Sequence, residues 1–258
     1  KMYKNLSKVD VIIPNFNKGK YLDQAIKSVL KQNFKNWILY IIDDNSTDDS
    51  KEILNNYKKI KKIKIFFLNK NKGPGFCRNY GITKSKSPYI AFLDSDDFWK
   101  KDKLKTQINF MKKKNYLFSY TDYETFTDKN GKKIFLGITN LVNSLNFFQF
   151  IQNSSINTST MILDRKIINK VKFKNLKKLE DYIFKCEILK KNKKLSAYKL
   201  PKSTAFYRIL SNARSNSKLK NISYLWNYNK RFNKLNFIDN CKSLIMISFN
   251  SLKKYGFK

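Results

Sequence analysis

Tyr89-Ile90-Ala91-Phe92-Leu93-Asp94-Ser95-Asp96-Asp97 is an apolar run that ends in three carboxylates within four positions. The run predicts a β-strand over 89–93, with the acids just past its end. Working outward from it, three earlier apolar runs also end in polar groups. Val9-Asp10-Val11-Ile12-Ile13 stops at Pro14 and is followed by Asn15 and Asn17. The run 37–42 stops at Asp43-Asp44, and the run 63–68 stops before Asn69 and Asn71. Between them, Leu22, Ala25, Ile26, Val29 and Leu30 recur at helical spacing and predict a helix over about 20–31. Ser46-Thr47-Asp48-Asp49 supplies capping residues for a helix near 49–57. Gly73-Pro74-Gly75 turns the chain into a helix running to about 85, and another covers about 101–113.

Strands alternating with helices of this length predict an α/β fold, a mostly parallel central sheet with helices on both faces. Ligands bind such sheets beyond the carboxyl ends of the strands. Four separate strand ends deliver Asn or Asp side chains to that one edge. From about 115 the pattern changes. Short strands are expected at 116–120, 123–127 and 158–163, with a turn at Asp128-Lys129-Asn130-Gly131. A helix is expected over 179–189 and an extended segment over 199–210. Beyond about 215 the chain is rich in Lys and aromatics at helical spacing.

Composition narrows the chemistry. The 258 residues are 41% hydrophobic and 15% aromatic, enough to bury a core. The formal net charge is +35, nearly all of it from Lys, with Arg only at 78, 165, 208, 214 and 231. Two readings of that excess stand together: a compositional bias, and attraction to an anionic membrane surface or acidic glycolipid. There is no His, so a His-ligated metal and a His base are excluded, leaving Asp and Glu for both tasks. Cys77, Cys186 and Cys241 lack metal or redox spacing and read as reduced thiols of a cytoplasmic protein. Lys1-Met2-Tyr3-Lys4 opens no apolar run, so no signal peptide is expected, and no apolar run is long enough to span a bilayer.

Carboxylates two apart just past a strand suit one hard divalent cation that keeps substrate phosphate in its other positions. The alternative for Asp97 or Asp102 is a helix cap. Asp43-Asp44 alone is ambiguous, because response regulators also carry an acidic pair after a strand. The combination is more specific. Val11-Ile12-Ile13-Pro14-Asn15-Phe16-Asn17, Ile41-Ile42-Asp43-Asp44-Asn45-Ser46-Thr47-Asp48, Asn71-Lys72-Gly73-Pro74-Gly75-Phe76-Cys77-Arg78-Asn79-Tyr80-Gly81 and Phe92-Leu93-Asp94-Ser95-Asp96-Asp97 together resemble the family 2 glycosyltransferases of GT-A fold. The resemblance covers about residues 9–105. It resumes at Thr158-Ser159-Thr160-Met161, Leu179-Glu180-Asp181-Tyr182 and Tyr207-Arg208-Ile209-Leu210.

The resemblance implies an inverting, metal-dependent hexosyl- or N-acetylhexosaminyl-transferase of bacterial surface-glycan or lipid-linked-glycan synthesis. Pro14, Asn15, Phe16 and Asn17 would cradle the nucleoside, and Asp44 and Arg78 would reach the base. Asp94 would lie near the ribose, and Ser95 would belong to the nucleotide-sugar site. Asp96, with Asp94, would hold Mg2+ or Mn2+ on the diphosphate. Asp181 would be the catalytic base, with Glu180 as the alternate. Relatives often carry a His after the late Tyr-Arg; here Ile209 and Leu210 follow, so Arg208 or Arg214 is the candidate for the diphosphate instead. Bland alternatives remain for single residues: Pro14 as a strand terminator, Arg78 as a helix-face cation, and Glu180-Asp181 as dipole-favouring helix openers.

The implied organisation is a GT-A domain over 1–212, with a nucleotide-binding half at about 9–115 and an acceptor half at about 116–212. A basic helical extension follows over 213–258. The expected partners are a UDP-sugar donor and a glycan or glycolipid acceptor, without nucleic acid. The expected location is cytoplasmic, with peripheral contact at the inner face of the membrane. A charge-driven nucleic-acid binder accounts for the Lys but not for acids at successive strand ends. A nucleotidyltransferase would carry a Gly-rich, Arg-containing loop near its start, which 14–20 is not. A dinucleotide-dependent dehydrogenase would carry a Gly fingerprint after its first strand, also missing here.

Overall fold

The computed structural model describes residues 7–129, 132–168, 170–210 and 218–255. The first half alternates as the sequence predicts. It runs β1 (Val9–Asn15), α1 (Gly19–Leu30), β2 (Trp37–Asp43), α2 (Ser50–Asn55), β3 (Ile63–Phe67), α3 (Pro74–Lys84) and β4 (Tyr89–Phe92). A short β5 (Phe98–Trp99) and α4 (Lys103–Lys114) complete it. The second half begins with a hairpin of β6 (Phe118–Lys129) and β7 (Lys132–Thr139). It continues through β8 (Ser144–Leu145), α5 (Phe147–Asn153), β9 (Ile162–Asp164), α6 (Arg165–Ile168), α7 (Glu180–Lys191) and β10 (Ala197–Arg208). Two helices close the chain, α8 (Lys218–Tyr228) and α9 (Phe237–Tyr255), joined through a π-helical turn at Asn229–Asn233.

Among the described residues the strands form one sheet in the order β3-β2-β1-β4-β9-β6-β10-β5, with β7 on β6 and β8 on β10. The chain lays β1, β2 and β3 outward on one side, then returns to place β4 on the other side of β1. That reversal is the switch point at which open parallel sheets bind ligands. All pairs among β1 to β4 are parallel. The sheet turns mixed where β9 enters antiparallel to both β4 and β6. β1, flanked on both sides and covered on both faces, is buried at every position. Pro14 fits there because β1 backbone groups facing β4 find their last partner at Ile12, whose carbonyl accepts from Leu93 N. The missing N–H of Pro14 falls beyond the end of β4 and leaves no ladder bond unmade.

Helix α1 buries Leu22, Ala25, Ile26 and Val29, the stripe its spacing predicts. α3 lies so close to β1 that a Cβ on Gly81 would stand 2.6 Å from the Ile12 side chain. Two expectations differ in detail. The short strands expected at 116–120 and 123–127 are one long strand, β6, paired with β9, β10 and β7. The strand expected at 158–163 begins instead as a 3-10 turn, Thr158–Thr160. The cause is local: the Asn157 side chain accepts from Ser159 N and its carbonyl accepts from Thr160, turning the chain before β9. The Asn130-Gly131 turn, Arg214, Lys1-Met2-Tyr3-Lys4, the 212/213 boundary and Gly256-Phe257-Lys258 lie outside the described residues.

Candidate active site

The carboxyl ends of β1 and β2 are tied into one loop system. Asn15 and Asp43 are register partners at the strand ends. Asn15 Nδ2 donates to Asp43 Oδ1 at 2.8 Å, and Ser46 Oγ donates to the same oxygen at 2.7 Å. Asn17, in the left-handed region at φ 49°, donates its N–H to Ser46 Oγ and accepts Thr47 N on Oδ1. Asp43 therefore builds the loop. Phe16, beside it, is 43% exposed and presents a ring at the edge. Asp44 is buried and accepts Lys72 N at 2.8 Å and Gly73 N at 2.7 Å, pinning the loop ahead of α3. Gly73 sits at φ 84°, a conformation that favours glycine. The Cys77 thiol, on the first turns of α3, is also hydrogen-bonded to Asp44.

Arg78 is the buried hub. Its guanidinium meets Asp94 at 2.7 Å and Glu180 at 3.1 Å, joining α3, the end of β4 and the start of α7. Burial acts to lower its pKa, but Asp94, Glu180 and Asp181 outweigh this and hold it firmly charged. Arg78 Nε and Asn15 Oδ1 are buried without a hydrogen-bond partner. Buried polar atoms of this kind are costly unless a ligand or water satisfies them.

The acidic loop splits three ways. Asp94 faces Arg78 with its side chain 31% exposed. Asp96 is 23% exposed and is met by Lys18 Nζ at 3.0 Å. Asp97 turns inward, accepting Ser159 Oγ at 2.6 Å and Arg208 N at 3.0 Å, so it caps no helix. Burial, then Asp96 and Asp94, push its carboxyl well above the usual range. Ser95 is buried between them. Arg208 lies beneath this loop with its side chain 2% exposed. Its Nε donates to Asp96 O at 2.8 Å, Nη2 to Gln24 at 2.7 Å, and Nη1 pairs with Asp128. Its donors thus tie the acidic loop at Asp96 to Gln24 of α1 and Asp128 of β6.

The charged donors the acidic loop offers a metal are carboxylates alone. Among the described residues no three His, Cys, Asp or Glu side chains form a protein-only metal cage. Two partly exposed carboxylates with oxygen donors remain, Asp94 and Asp96. An ammonium already lies on Asp96, and the cluster's mutual repulsion is felt as far as Asp97. This suits a hard ion that takes its other ligands from a phosphate.

At the first turn of α7, Glu180 is buried on Arg78 while Asp181 stays 34% exposed. Asp181 Oδ2 accepts Thr158 Oγ1 at 3.0 Å and Lys185 Nζ at 2.7 Å. Burial acts to raise the Asp181 pKa, but Lys185, Arg78 and the Thr158 hydroxyl together hold its carboxyl well below the usual range. Arg78 thus brings together Asp94 and Glu180, which are 86 positions apart in sequence. Sequence reasoning missed Lys18 and Lys185, and placed Ser159 in a resembling stretch without giving it a role. The lysines carried no signal among so many others, and Ser159 acquires its role only through the fold.

A family model described as glycosyl transferase family 2 matches residues 10–176. An uncharacterized glycosyltransferase of Haemophilus influenzae is 35% identical over 254 residues, covering 97% of this chain and 99% of its own. The putative teichuronic acid biosynthesis glycosyltransferase TuaG of Bacillus subtilis is 32% identical over 95% of this chain and 96% of its own. The Escherichia coli UDP-Glc:alpha-D-GlcNAc-diphosphoundecaprenol beta-1,3-glucosyltransferase WfgD is 31% identical over 84% of this chain and 83% of its own. Among solved structures, S. aureus TarS 1-349 in complex with UDP-GlcNAc superposes with a TM-score of 0.70 at 20% identity, covering 95% of this chain and 73% of that one. The mannosyltransferase PcManGT of Pyrobaculum calidifontis, in complex with GDP-Man and Mn2+, reaches 0.67 at 10% identity, covering 97% and 76%. At these identities the two structures speak for the fold alone.

Proposed function

The chain belongs to glycosyl transferase family 2, and from that premise we propose that it moves a hexosyl or N-acetylhexosaminyl residue from a UDP-sugar to a lipid-linked glycan acceptor, with inversion. The observation that carries the reading is the Arg78 hub, which sets an acidic loop at a strand end beside a carboxylate pair on a different element. The names of relatives support the substrate classes: WfgD uses UDP-Glc and a diphosphoundecaprenol-linked sugar, and TuaG serves teichuronic acid synthesis. In this reading residues 1–212 form the transferase domain and 213–258 its helical extension, which brings the chain to a membrane surface.

The nucleotide half supplies recognition. Asn15 Oδ1 is a buried acceptor suited to the uracil N3–H, and Arg78 Nε is a buried donor suited to a ligand oxygen. Phe16 offers its ring for stacking, Pro14 and Asn17 shape the cradle, and Asp44 holds the loop that closes over the base. Asp94 faces the ribose, with Ser95 behind it in the nucleotide-sugar site. Asp96 and Asp94 are the residues to hold Mg2+ or Mn2+, which when bound neutralises charge on the departing diphosphate. With a metal held there, Lys18, now paired with Asp96, would be placed to meet phosphate instead. Arg208 acts as a positioning residue under the loop.

Asp181 takes the acceptor proton. Its described bonds fall on Oδ2, so Oδ1 receives the hydroxyl hydrogen as the acceptor oxygen bonds to the anomeric carbon. The bond from that carbon to the diphosphate breaks on the opposite face, and its electrons leave with UDP. A carboxylate held this acidic takes the proton late, once the attacking oxygen has become positive. A screen of UDP-sugars with Mg2+ and Mn2+ tests donor use. Asp96→Ala and excess EDTA are each expected to abolish transfer; full activity in EDTA overturns the metal role.

A further inference from the structure

Helix α9 is built inside out. Its inward face carries Asn240 and Ser243, both buried. Asn229 Nδ2 donates to Asn240 Oδ1 at 3.2 Å and to Ser243 Oγ at 3.1 Å. Asn229 Oδ1 accepts Tyr182 Oη at 2.9 Å and Asn233 Nδ2 at 2.8 Å, and Ser243 Oγ donates to Ile151 O at 2.5 Å. This polar seam, with Leu244 and Ile247 partly buried beside it, fixes α9 to α5 and α7. The outward face is the apolar one. Ile238, Ile245 and Phe249 stand at helical spacing on one side and are 61% to 76% exposed. Exposed Lys242 sits among them.

A buried polar seam with an exposed apolar stripe reverses the usual pattern of a surface helix, and an exposed stripe of this kind marks an interaction face. Charge decides the occupant. A second copy would bring another +35 against the first and would set Lys242 near its own counterpart. An anionic bilayer meets the same stripe with opposite charge, and Lys242 and Lys234 can extend their ammonium groups to headgroups while the apolar side chains enter the acyl boundary. Among the described residues no helix is long and apolar enough to cross a membrane, so α9 would lie along the surface.

We infer that the Ile238–Lys242–Ile245–Phe249 face of α9 is a docking surface for an anionic lipid bilayer. This deepens the proposed function, resting on it only for the reason a transferase with a lipid-linked acceptor needs such a surface.

Flotation of the full chain tests it, using phosphatidylcholine vesicles with and without phosphatidylglycerol at low and raised salt. The wild type is expected to float with the anionic vesicles and to keep part of that binding at raised salt, where surface charge is screened. The Ile238→Ser/Ile245→Ser/Phe249→Ser variant is expected to bind at least about tenfold more weakly, since about 1.4 kcal/mol of lost apolar burial gives that factor. Lys242→Glu is expected to weaken only the anionic component. Unchanged UDP-sugar hydrolysis and melting temperature in both variants show that the fold is intact. Equal flotation of the triple variant and wild type overturns the inference, as does no wild-type flotation. So does a wild-type dimer by light scattering that the triple variant dissolves, because a second copy then covers the face. Loss of donor hydrolysis in the wild type, with vesicle binding retained, would instead count against the catalytic reading alone.

Discussion

Lys185 decides how Asp181 behaves. Its side chain is buried, and its ammonium donates to Ile156 O and Asp181 Oδ2, both at 2.7 Å. Burial alone would raise the Asp181 pKa; Lys185 is the largest of the influences that lower it instead. A base depressed in the folded enzyme stays ionised as pH falls past about 4, the ordinary range of an aspartate. The acid limb of kcat/KM is then set by other groups. Asp181→Asn is expected to lose about 10²–10⁴ in kcat, the usual worth of a positioned base. Lys185→Met is expected to move the acid limb upward, so its deficit grows as pH falls, while Lys185→Arg keeps the limb low. A profile that stays put in Lys185→Met removes the link between the two residues. None of this is legible in a chain whose cations are nearly all Lys. By contrast Arg78, one of five arginines, stood out and proved to be the hub.

The elements that were legible are those whose signals are local. The four parallel strands each carry their own apolar run and their own polar stop, and the reversal from β3 to β4 gathers the stops at one edge. The second half was less so, because β6 reads as one strand only when β9, β10 and β7 are present to pair it. Two glycines, Gly73 just before α3 and Gly81 within it, test how far the site depends on element placement. A Cβ at Gly81 would stand 2.6 Å from Ile12, a side chain with no room to move in a fully buried strand. Gly81→Ala is therefore expected to cost about 1–3 kcal/mol in chemical denaturation, as other overpacked cores do. It should also raise the donor KM, because β1 ends in the nucleotide cradle. Gly73 has open space but sits at φ 84°. Gly73→Ala is expected to cost about 1–3 kcal/mol through the backbone alone, loosening the Asp44 clamp. A Gly81→Ala enzyme as stable as wild type would mean that α3 and β1 are not in rigid contact.

At the scale of the molecule, +35 charges repel one another, and this self-repulsion should fade with added salt as the Debye length shrinks below about 10 Å. The melting temperature is expected to rise with salt. Under screened conditions a second, buried charge becomes measurable. Lys103 is fully buried, its ammonium donating to Gln107 Oε1 at 2.5 Å and to Thr160 O at 3.0 Å behind the acidic loop. Burial brings its pKa down to about 7. In the unfolded chain it titrates near 10.4, so between these values the unfolded state binds more protons and stability rises with pH. Two buried thiols act the other way. Burial pushes Cys186 up to about 12 and raises Cys77 as well, so above about 8.5, where unfolded thiols ionise, each lowers stability as pH rises. The melting temperature at high salt should therefore climb from pH 7 to a maximum near 8.5 and fall beyond it. Lys103→Met should flatten the climb while leaving the fall, and a climb of equal slope in that variant would assign it to some other group.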